Sequence, residues 1–199
     1  MAWFGPSKDE LWKQLSQEIG ADYVAGSLWQ GSKVQAHVGP WVITLDSYTV
    51  SSGHSQVTYT RMRAPYVNGG GFRFSIYRKG IFSELGKLMG MQDIEVGNPE
   101  FDEAFIIKGN DEFKVRDLFG NRKIQELIAA QPQIHLTVRD SEGWFGPKFP
   151  DDVDELLFQV VGVIKDLPRL KLLYDLFAEV LDQLCRLGAA VKSNPNVSL

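Results

Sequence analysis

The spacing of hydrophobic residues divides the chain into helical and extended segments. Near the N-terminus, apolar residues recur at helical spacing: Leu11, Leu15 and Ile19. Ser7 and Glu10 have the spacing of a capping box, in which each side chain accepts a backbone N–H at the start of a helix. Gly20 is a typical helix stop. These signals predict a first helix between Ser7 and Gly20.

From residue 33 onward the hydrophobic period changes to two, which is typical of strands with one buried face. The alternation covers four segments: 34–38, 41–45, 57–63 and 72–76. Short turns separate them: Gly39-Pro40, 51–53 and 68–71. Such tight connections predict an antiparallel meander of four strands, the third ending near Pro65, because parallel neighbours need longer crossovers.

The second half of the chain mixes the two periods. The predicted elements are a short helix after Lys79, an acidic loop at 98–103, a strand at 105–107, helices at 111–119 and 124–128, and strands at 134–138 and 156–160. The strongest helical pattern begins at Asp166 and Pro168 and continues to Leu187, where Gly188 ends it.

Together these patterns predict an α+β fold. An antiparallel sheet is packed by the N-terminal helix and the long C-terminal helix, with a helical insertion near 111–130. Residues 1–188 fit a single domain, and 189–199 read as a flexible tail. Two pseudo-related lobes stay open as an alternative, because a strand-then-helix pattern occurs at 72–88 and again at 103–119.

Composition narrows the class of protein. The 199 residues are 44% hydrophobic and 23% charged, as in ordinary soluble globular domains. A net charge of −4 argues against nonspecific nucleic-acid binding, which needs an excess of Lys and Arg. Cys185 is the only cysteine, so it forms no internal disulfide. Without a signal peptide or a transmembrane run, we expect a bacterial cytoplasmic location.

The motifs that carry catalysis or bind cofactors are not matched. The segment 53–57 departs from a nucleophile elbow at its last position, and 80–87 has the wrong spacing for a phosphate-binding loop. His37, His54 and His135 lack the spacing of metal ligands, and the alternation places His37 and His135 on solvent-facing sides of their strands. We therefore predict no cofactor and no metal site.

Charged residues supply the first group of candidate binding residues. Arg61 and Arg63 share a predicted strand face, and a buried guanidinium without a partner is costly. Their simplest partners are three acidic residues of the 98–103 loop: Glu100, Asp102 and Glu103. This interpretation favours a structural ion-pair network. The alternative is a patch that grips a carboxylate or a phosphate with four arginines: Arg61, Arg63, Arg73 and Arg78.

Aromatic residues complete the candidate set. Tyr66, just after the predicted end of the strand that carries the two arginines, is included among the candidate binding residues. Trp144 and Phe145 lie in a glycine-bounded loop, where burial would lock the neighbouring strands together. Exposed, the pair would be an anchor for a protein partner.

Several segments resemble a family of uncharacterised bacterial proteins, classed as a domain of unknown function. The likeness rests on the runs TRMRAPY, FRFSIYR and GNPEFDEAFIIKGND and on the final leucine-rich helix, and it is strongest over 60–138. Its most specific element is the segment 98–105, with Phe101-Asp102 followed by Phe105. The resemblance implies no established reaction and hence no catalytic residues. Members often carry transmembrane segments ahead of this region, and none is predicted here.

Three function classes remain. The first is a noncatalytic binding or scaffolding module that acts through protein contacts, with self-association as a homodimer included. The second is a carrier of a small anionic or apolar molecule, such as a lipid, with an apolar cavity lined by four residues: Phe72, Phe74, Ile76 and Phe177. The third is a carboxylate-based enzyme. The sequence favours the first, because it is rich in fold-building residues and carries no catalytic motif.

Overall fold

The chain folds into one antiparallel sheet with helices packed on it, so the predicted α+β class is confirmed. A computed structural model describes residues 5–27, 31–80, 92–140 and 149–199. The helices within these ranges are α1 (Lys8–Ile19), α2 (Pro99–Ala104), α3 (Glu112–Gly120), α4 (Arg122–Ala129) and α5 (Leu167–Arg186). The strands are β1 (Asp22–Val24), β2 (Lys33–Val38), β3 (Trp41–Ser52), β4 (Ser55–Val67), β5 (Phe74–Arg78), β6 (Gln92–Asp93), β7 (Phe105–Gly109), β8 (His135–Arg139) and β9 (Val153–Val161). The short helix predicted after Lys79 and the Trp144-Phe145 loop lie outside the described residues.

The strand order is β1-β2-β3-β4-β9-β8-β5-β7-β6. Hairpins join β2 to β3 and β3 to β4, and their turns place Gly39 and Gly53 at φ of 58° and 59°, a backbone conformation that favours glycine. The predicted meander is therefore confirmed for its first three strands. It is wrong for the fourth, because β9 and β8 lie between β4 and β5. The strand predicted to end near Pro65 also continues to Val67, since Pro65 pairs with Glu155 of β9.

Helices cover one face of the sheet, on which Val34, Ile43 and Met62 are fully buried. The capping box is present as predicted: Ser7 caps α1, and Gly20 ends it in the left-handed conformation. The Trp12 indole donates to the Ile164 carbonyl at 3.1 Å, and the Tyr174 hydroxyl donates to the Val34 carbonyl at 2.9 Å. The first hydrogen bond ties α1 to the segment that follows β9, and the second ties α5 to β2. No helix in the described part of the chain combines the length and the apolar character that crossing a bilayer requires.

The four residues predicted to line a ligand cavity belong instead to the packed core: Phe72, Phe74, Ile76 and Phe177. None exposes more than 1% of its surface. Phe74 packs edge to face on Phe119, with ring centroids 5.1 Å apart. Because a cavity large enough for a ligand would expose its lining to a water-sized probe, these four side chains do not form one.

The second face of the sheet is partly covered by the segment 189–199, for which the sequence predicts a flexible tail. Ala189 and Ala190 are buried, and Val191 forms an antiparallel bridge with Val67. Further along, the Lys33 ammonium donates to the Leu199 carbonyl at 2.5 Å. The segment therefore contacts the sheet along its length.

His135 shows why alternation alone misassigns this second face. The sequence places it toward solvent, but its side chain is buried and shares a 3.3 Å hydrogen bond with the Ser75 hydroxyl. The prediction of a solvent-facing His135 is wrong because polar positions on this face are covered too. Burial lowers the pKa of His135, and the positive charge of Arg139 lowers it further.

The lowered pKa of His135 predicts a loss of stability in mild acid. Below about pH 6.5, the ordinary pKa of histidine, His135 binds a proton in the unfolded chain but stays neutral in the folded chain. The free energy of unfolding should therefore fall between about pH 7 and about pH 5, by at most about 1.4 kcal/mol per pH unit for one proton. Urea unfolding at the two pH values measures this, and His135→Gln should have the smaller slope. Equal slopes in the two proteins would contradict the assignment.

Candidate ligand-binding groove

A groove of about 750 Å³ runs between α2 and α4, at the end of β5. Its lining is Arg78, Val96, Gly97, Asn98, Glu100, Phe101, Ala104, Phe105, Gly120, Arg122, Gln125, Glu126 and Ala129. It includes most of the 98–105 segment that the sequence marks as distinctive. Two other clefts on the described surface are less than half as large, at about 320 and 340 Å³, so we examine this groove as the candidate ligand site.

The floor of the groove is aromatic. Phe101 in α2 and Phe105 in β7 stack at a tilt, with ring centroids 4.6 Å apart, and both side chains are almost fully buried. The short helix that presents Phe101 begins because Asn98 caps it and Pro99 occupies its first position. Only a small part of each ring is exposed, and the more accessible apolar residues of the lining extend this surface: Val96, Ala104 and Ala129. An apolar chain lying in the groove would be partly removed from water.

Arg78 supplies the positive charge beside this floor. Its guanidinium carbon lies 4.7 Å from the centroid of the Phe105 ring, in a cation–π contact. Its Nη2 atom donates to the carbonyls of Ala129 and Gln131, at 3.3 and 3.0 Å, where the C-terminal end of α4 favours a cation. Among the described residues, no carboxylate pairs with Arg78, and its buried Nε has no hydrogen-bond acceptor.

A chain of amides ties the two walls together. The Asn98 side-chain amide donates to Gln125 at 2.7 Å, and the Gln125 amide donates to the Phe119 carbonyl, also at 2.7 Å. Arg122 and Glu126 form an exposed pair one turn apart on the rim, 2.9 Å from Nε to Oε1. The first amide bond joins the cap of α2 to α4 and the second joins α4 to α3, and together they set the width of the groove.

The predicted acidic loop is a helix, α2, and its residues have separate roles. Asp102 accepts hydrogen bonds from the backbone N–H groups of Val96 and Gly97, at 2.9 and 3.0 Å, and so holds the turn that precedes the helix. Glu100 lies on the groove rim, whereas Glu103 is exposed and does not line the groove. The prediction that these three acids pair with Arg61 and Arg63 is wrong.

The partners of Arg61 and Arg63 lie on neighbouring strands of the second sheet face. Arg61 grips Asp46 through two hydrogen bonds, at 2.6 and 3.0 Å, and Arg63 donates to the same carboxylate at 2.6 Å. Arg63 also lies 3.9 Å from Glu155. Glu155 in turn accepts two hydrogen bonds from Arg139, at 3.0 and 2.8 Å.

We call these five residues the charged diagonal: Asp46, Arg61, Arg63, Arg139 and Glu155. The strand register produces it, because Asp46 lies opposite Arg61 in the β3–β4 pair and Glu155 lies opposite Arg139 in the β8–β9 pair. Arg63 is almost fully buried and Glu155 is fully buried. Opposite charges at cross-strand and diagonal positions stabilise the pairing of four adjacent strands.

The other predicted binding residues lie apart from both features. Arg73 pairs with Asp140 at 3.1 Å and with Asp154 at 3.4 Å. Tyr66 is fully buried, and burial raises the pKa of its hydroxyl, an effect that the nearby Asp154 carboxylate strengthens. The four arginines of the predicted anion patch are therefore distributed over three places, and only Arg78 lines the groove.

Comparison with known proteins gives one distant structural relative. No family model and no curated protein matches the chain. A solved structure does match: the crystal structure of the mycobacterial trehalose monomycolate transport factor A, TtfA. The match covers 89% of this chain and 94% of that one, with a TM-score of 0.56 and 10% sequence identity. At that identity, the likeness is one of fold.

Sequence reasoning missed the α4 wall of the groove, including Gln125 and Ala129. The sequence marks the segment 98–105 as distinctive, and the charge of Arg78 makes it a candidate binding residue. Nothing local in the sequence indicates that these parts meet, because they are joined by the β5–β7 pairing and by the packing of α4.

Proposed function

We propose that the protein is a noncatalytic binding protein whose groove takes an amphipathic molecule with an anionic group. The proposal rests on the position of Arg78, which lies directly beside the Phe101–Phe105 floor. Among the described residues, this cation has no carboxylate partner. A ligand that matches this arrangement has an apolar chain that lies on the rings and a phosphate, sulfate or carboxylate that meets the guanidinium.

The charges on the groove rim favour a ligand with an anionic group over one with a cationic group. Arg122 and Glu126 neutralise each other, so Glu100 is the one remaining carboxylate among the described lining residues, and it is exposed. Arg78 is partly buried, and an ion pair formed there is less screened by solvent than a pair with an exposed side chain.

The chemistry of the lining supports binding without turnover. The described residues that line the groove include no serine, threonine, cysteine, histidine or lysine, so a conventional nucleophile or a histidine base is not among them. The two lining carboxylates, Glu100 and Glu126, are both exposed. These features favour a carrier or a sensor over a hydrolase.

The structural relative adds a second, independent support. Its name assigns TtfA to the transport of trehalose monomycolate, a lipid. One fold can host many functions, so this likeness supports the lipid-carrier hypothesis by analogy alone. The groove is the part of this chain at which we propose that such a ligand binds.

Binding of dodecyl phosphate, measured by isothermal titration below its critical micelle concentration, tests the proposal. Ala129 is exposed and lines the groove, so Ala129→Phe should fill it and weaken binding by about tenfold or more. The neighbouring Ala130→Phe, outside the lining, is the matched control and should bind like wild type. Dodecyltrimethylammonium should bind more weakly than the phosphate, because its charge is reversed.

The role of Arg78 is tested separately. Arg78→Gln should weaken dodecyl phosphate binding by about tenfold to about a hundredfold, the range for a lost charge-assisted hydrogen bond. Arg116→Gln removes an arginine on α3 that does not line the groove and should leave the affinity unchanged. Equal affinities for the two detergents, or for Ala129→Phe and Ala130→Phe, would overturn the proposal.

A further inference from the structure

The β3–β4 hairpin extends beyond the strands on either side of it. Among the described residues, β2 pairs with β3 only as far as Leu45, and β9 pairs with β4 only from Tyr59. Residues 47–58 therefore form a two-stranded arm, which we call the ribbon. Eight consecutive ribbon residues, 49–56, are exposed.

One edge of the ribbon presents backbone groups that pair with no other strand among the described residues. The two-residue turn at Gly53-His54 is flanked by the pair Ser52–Ser55, so alternate residues of β3 bond to β4. Thr49 and Ser51 fall on the other phase, and their N–H and C=O groups point away from β4. No strand in the described part of the chain pairs with them.

This edge lacks the features that proteins use to block edge pairing. Exposed edges are ordinarily protected by lysine or other charges, by proline or by a bulge. The stretch from 47 to 60 contains no charged residue and no proline, although 23% of the whole chain is charged. It is rich in residues that favour strands: Tyr48, Thr49, Val50, Val57, Thr58, Tyr59 and Thr60.

We propose that two copies of this chain pair through the Thr49–Ser51 edge of β3, antiparallel across a two-fold axis. The occupant is a second copy because of charge. Each chain carries a net charge of −4, and the neutral ribbon is where two copies approach with the least repulsion. One cation lies at the base of this edge, the Lys8 ammonium, 3.2 Å from the Ser47 Oγ, and its charge opposes the negative net charge of an approaching copy.

The side chains of the edge suit self-pairing. With Thr49 opposite the second copy's Thr49, each Tyr48 lies opposite a Val50, and aromatic–β-branched pairs stabilise antiparallel strands. Val50 is 47% exposed in the single chain and would be covered in the pair. The sheet then continues from one copy into the other.

Sedimentation velocity over about 1 to about 300 µM protein tests the pairing. Wild type should show a concentration-dependent dimer. Thr49→Pro removes the outward N–H while leaving the hairpin bonds of Tyr48 and Val50, and should weaken dimerisation by about tenfold or more. Thr49→Val keeps the N–H and should dimerise like wild type. A wild-type chain that stays monomeric at every concentration, or a Thr49→Pro chain that dimerises equally well, would overturn the proposal.

Hydrogen exchange of wild type gives a second readout that does not depend on the folding of a variant. The amides of Thr49 and Ser51 should become protected as the concentration rises. The amide of Gln56 points to the opposite edge of the ribbon and should stay unprotected. Protection that rises at Gln56 instead, or at neither edge, would overturn the proposed interface.

Discussion

Replacing Glu155 with glutamine is expected to lower the free energy of unfolding by about 3 kcal/mol. Glu155 is fully buried and accepts two hydrogen bonds from Arg139, while Arg63 lies 3.9 Å away. Glutamine has nearly the same shape but no charge, so the charged diagonal would keep three arginines with Asp46 as its one carboxylate. Breaking a buried ion pair in this way costs about 3–5 kcal/mol, and the remaining amide oxygen places this substitution near the lower value. Urea unfolding at neutral pH measures the loss.

Two comparisons sharpen the test of Glu155. Glu126→Gln removes a carboxylate from an exposed pair on α4 and should change stability by less than about 0.5 kcal/mol. The double variant Glu155→Gln with Arg139→Gln should lose less than the sum of the two single losses, because removing Arg139 relieves one unpaired charge. A loss below about 1 kcal/mol for Glu155→Gln would contradict the buried network.

Phe74→Ala is expected to destabilise the fold by about 3–5 kcal/mol. The Phe74 ring is fully buried between Phe72 and Phe119, with centroid distances of 5.8 and 5.1 Å. Truncation would leave an apolar cavity between the sheet and α3. The matched control is Phe113→Ala on α3 itself, because Phe113 is 87% exposed and its truncation should change stability by no more than about 0.5 kcal/mol.

The Phe74 variant also decides between a core and a carrier cavity at this position. A residue that lined a ligand cavity would lose little stability on truncation, and ligand affinity would change instead. Equal unfolding midpoints for Phe74→Ala and Phe113→Ala in urea would therefore contradict the packed core. A ligand cavity at Phe74 would then be an alternative binding site to the groove between α2 and α4.

Local signals predicted those parts of the fold whose causes are local. The capping box at Ser7, the stop at Gly20 and the hairpin turns at Gly39 and Gly53 each depend on a few neighbouring residues, and all are present. The C-terminal helix is likewise present, with Asp166 as its cap. Each of these elements is specified by backbone chemistry within a few residues along the chain.

The errors arose where the cause is distant in sequence. The sequence favours the acidic residues near position 100 as the partners of Arg61, but strand register places Asp46 beside it. Alternation predicts that His135 is exposed because it assumes that one face of the sheet contacts solvent. This sheet is partly covered on both faces, so His135 is buried. The segment 98–105 can be recognised in the sequence, but its meeting with Arg78 and α4 cannot, because these parts are distant along the chain.

The position of β9 in the sheet has a consequence for how the protein folds. It is the central strand of the nine, yet it ends at Val161 of a 199-residue chain and pairs with β4, about a hundred positions earlier. The hairpins of β2, β3 and β4 can form from near neighbours as soon as they are made, and β5 can pair with β7 and β8, but these two groups of strands join only through β9. Closing such long loops is slow. We therefore expect an emerging chain to expose two unfinished sheet edges until its last quarter arrives, a period in which it is most prone to aggregation.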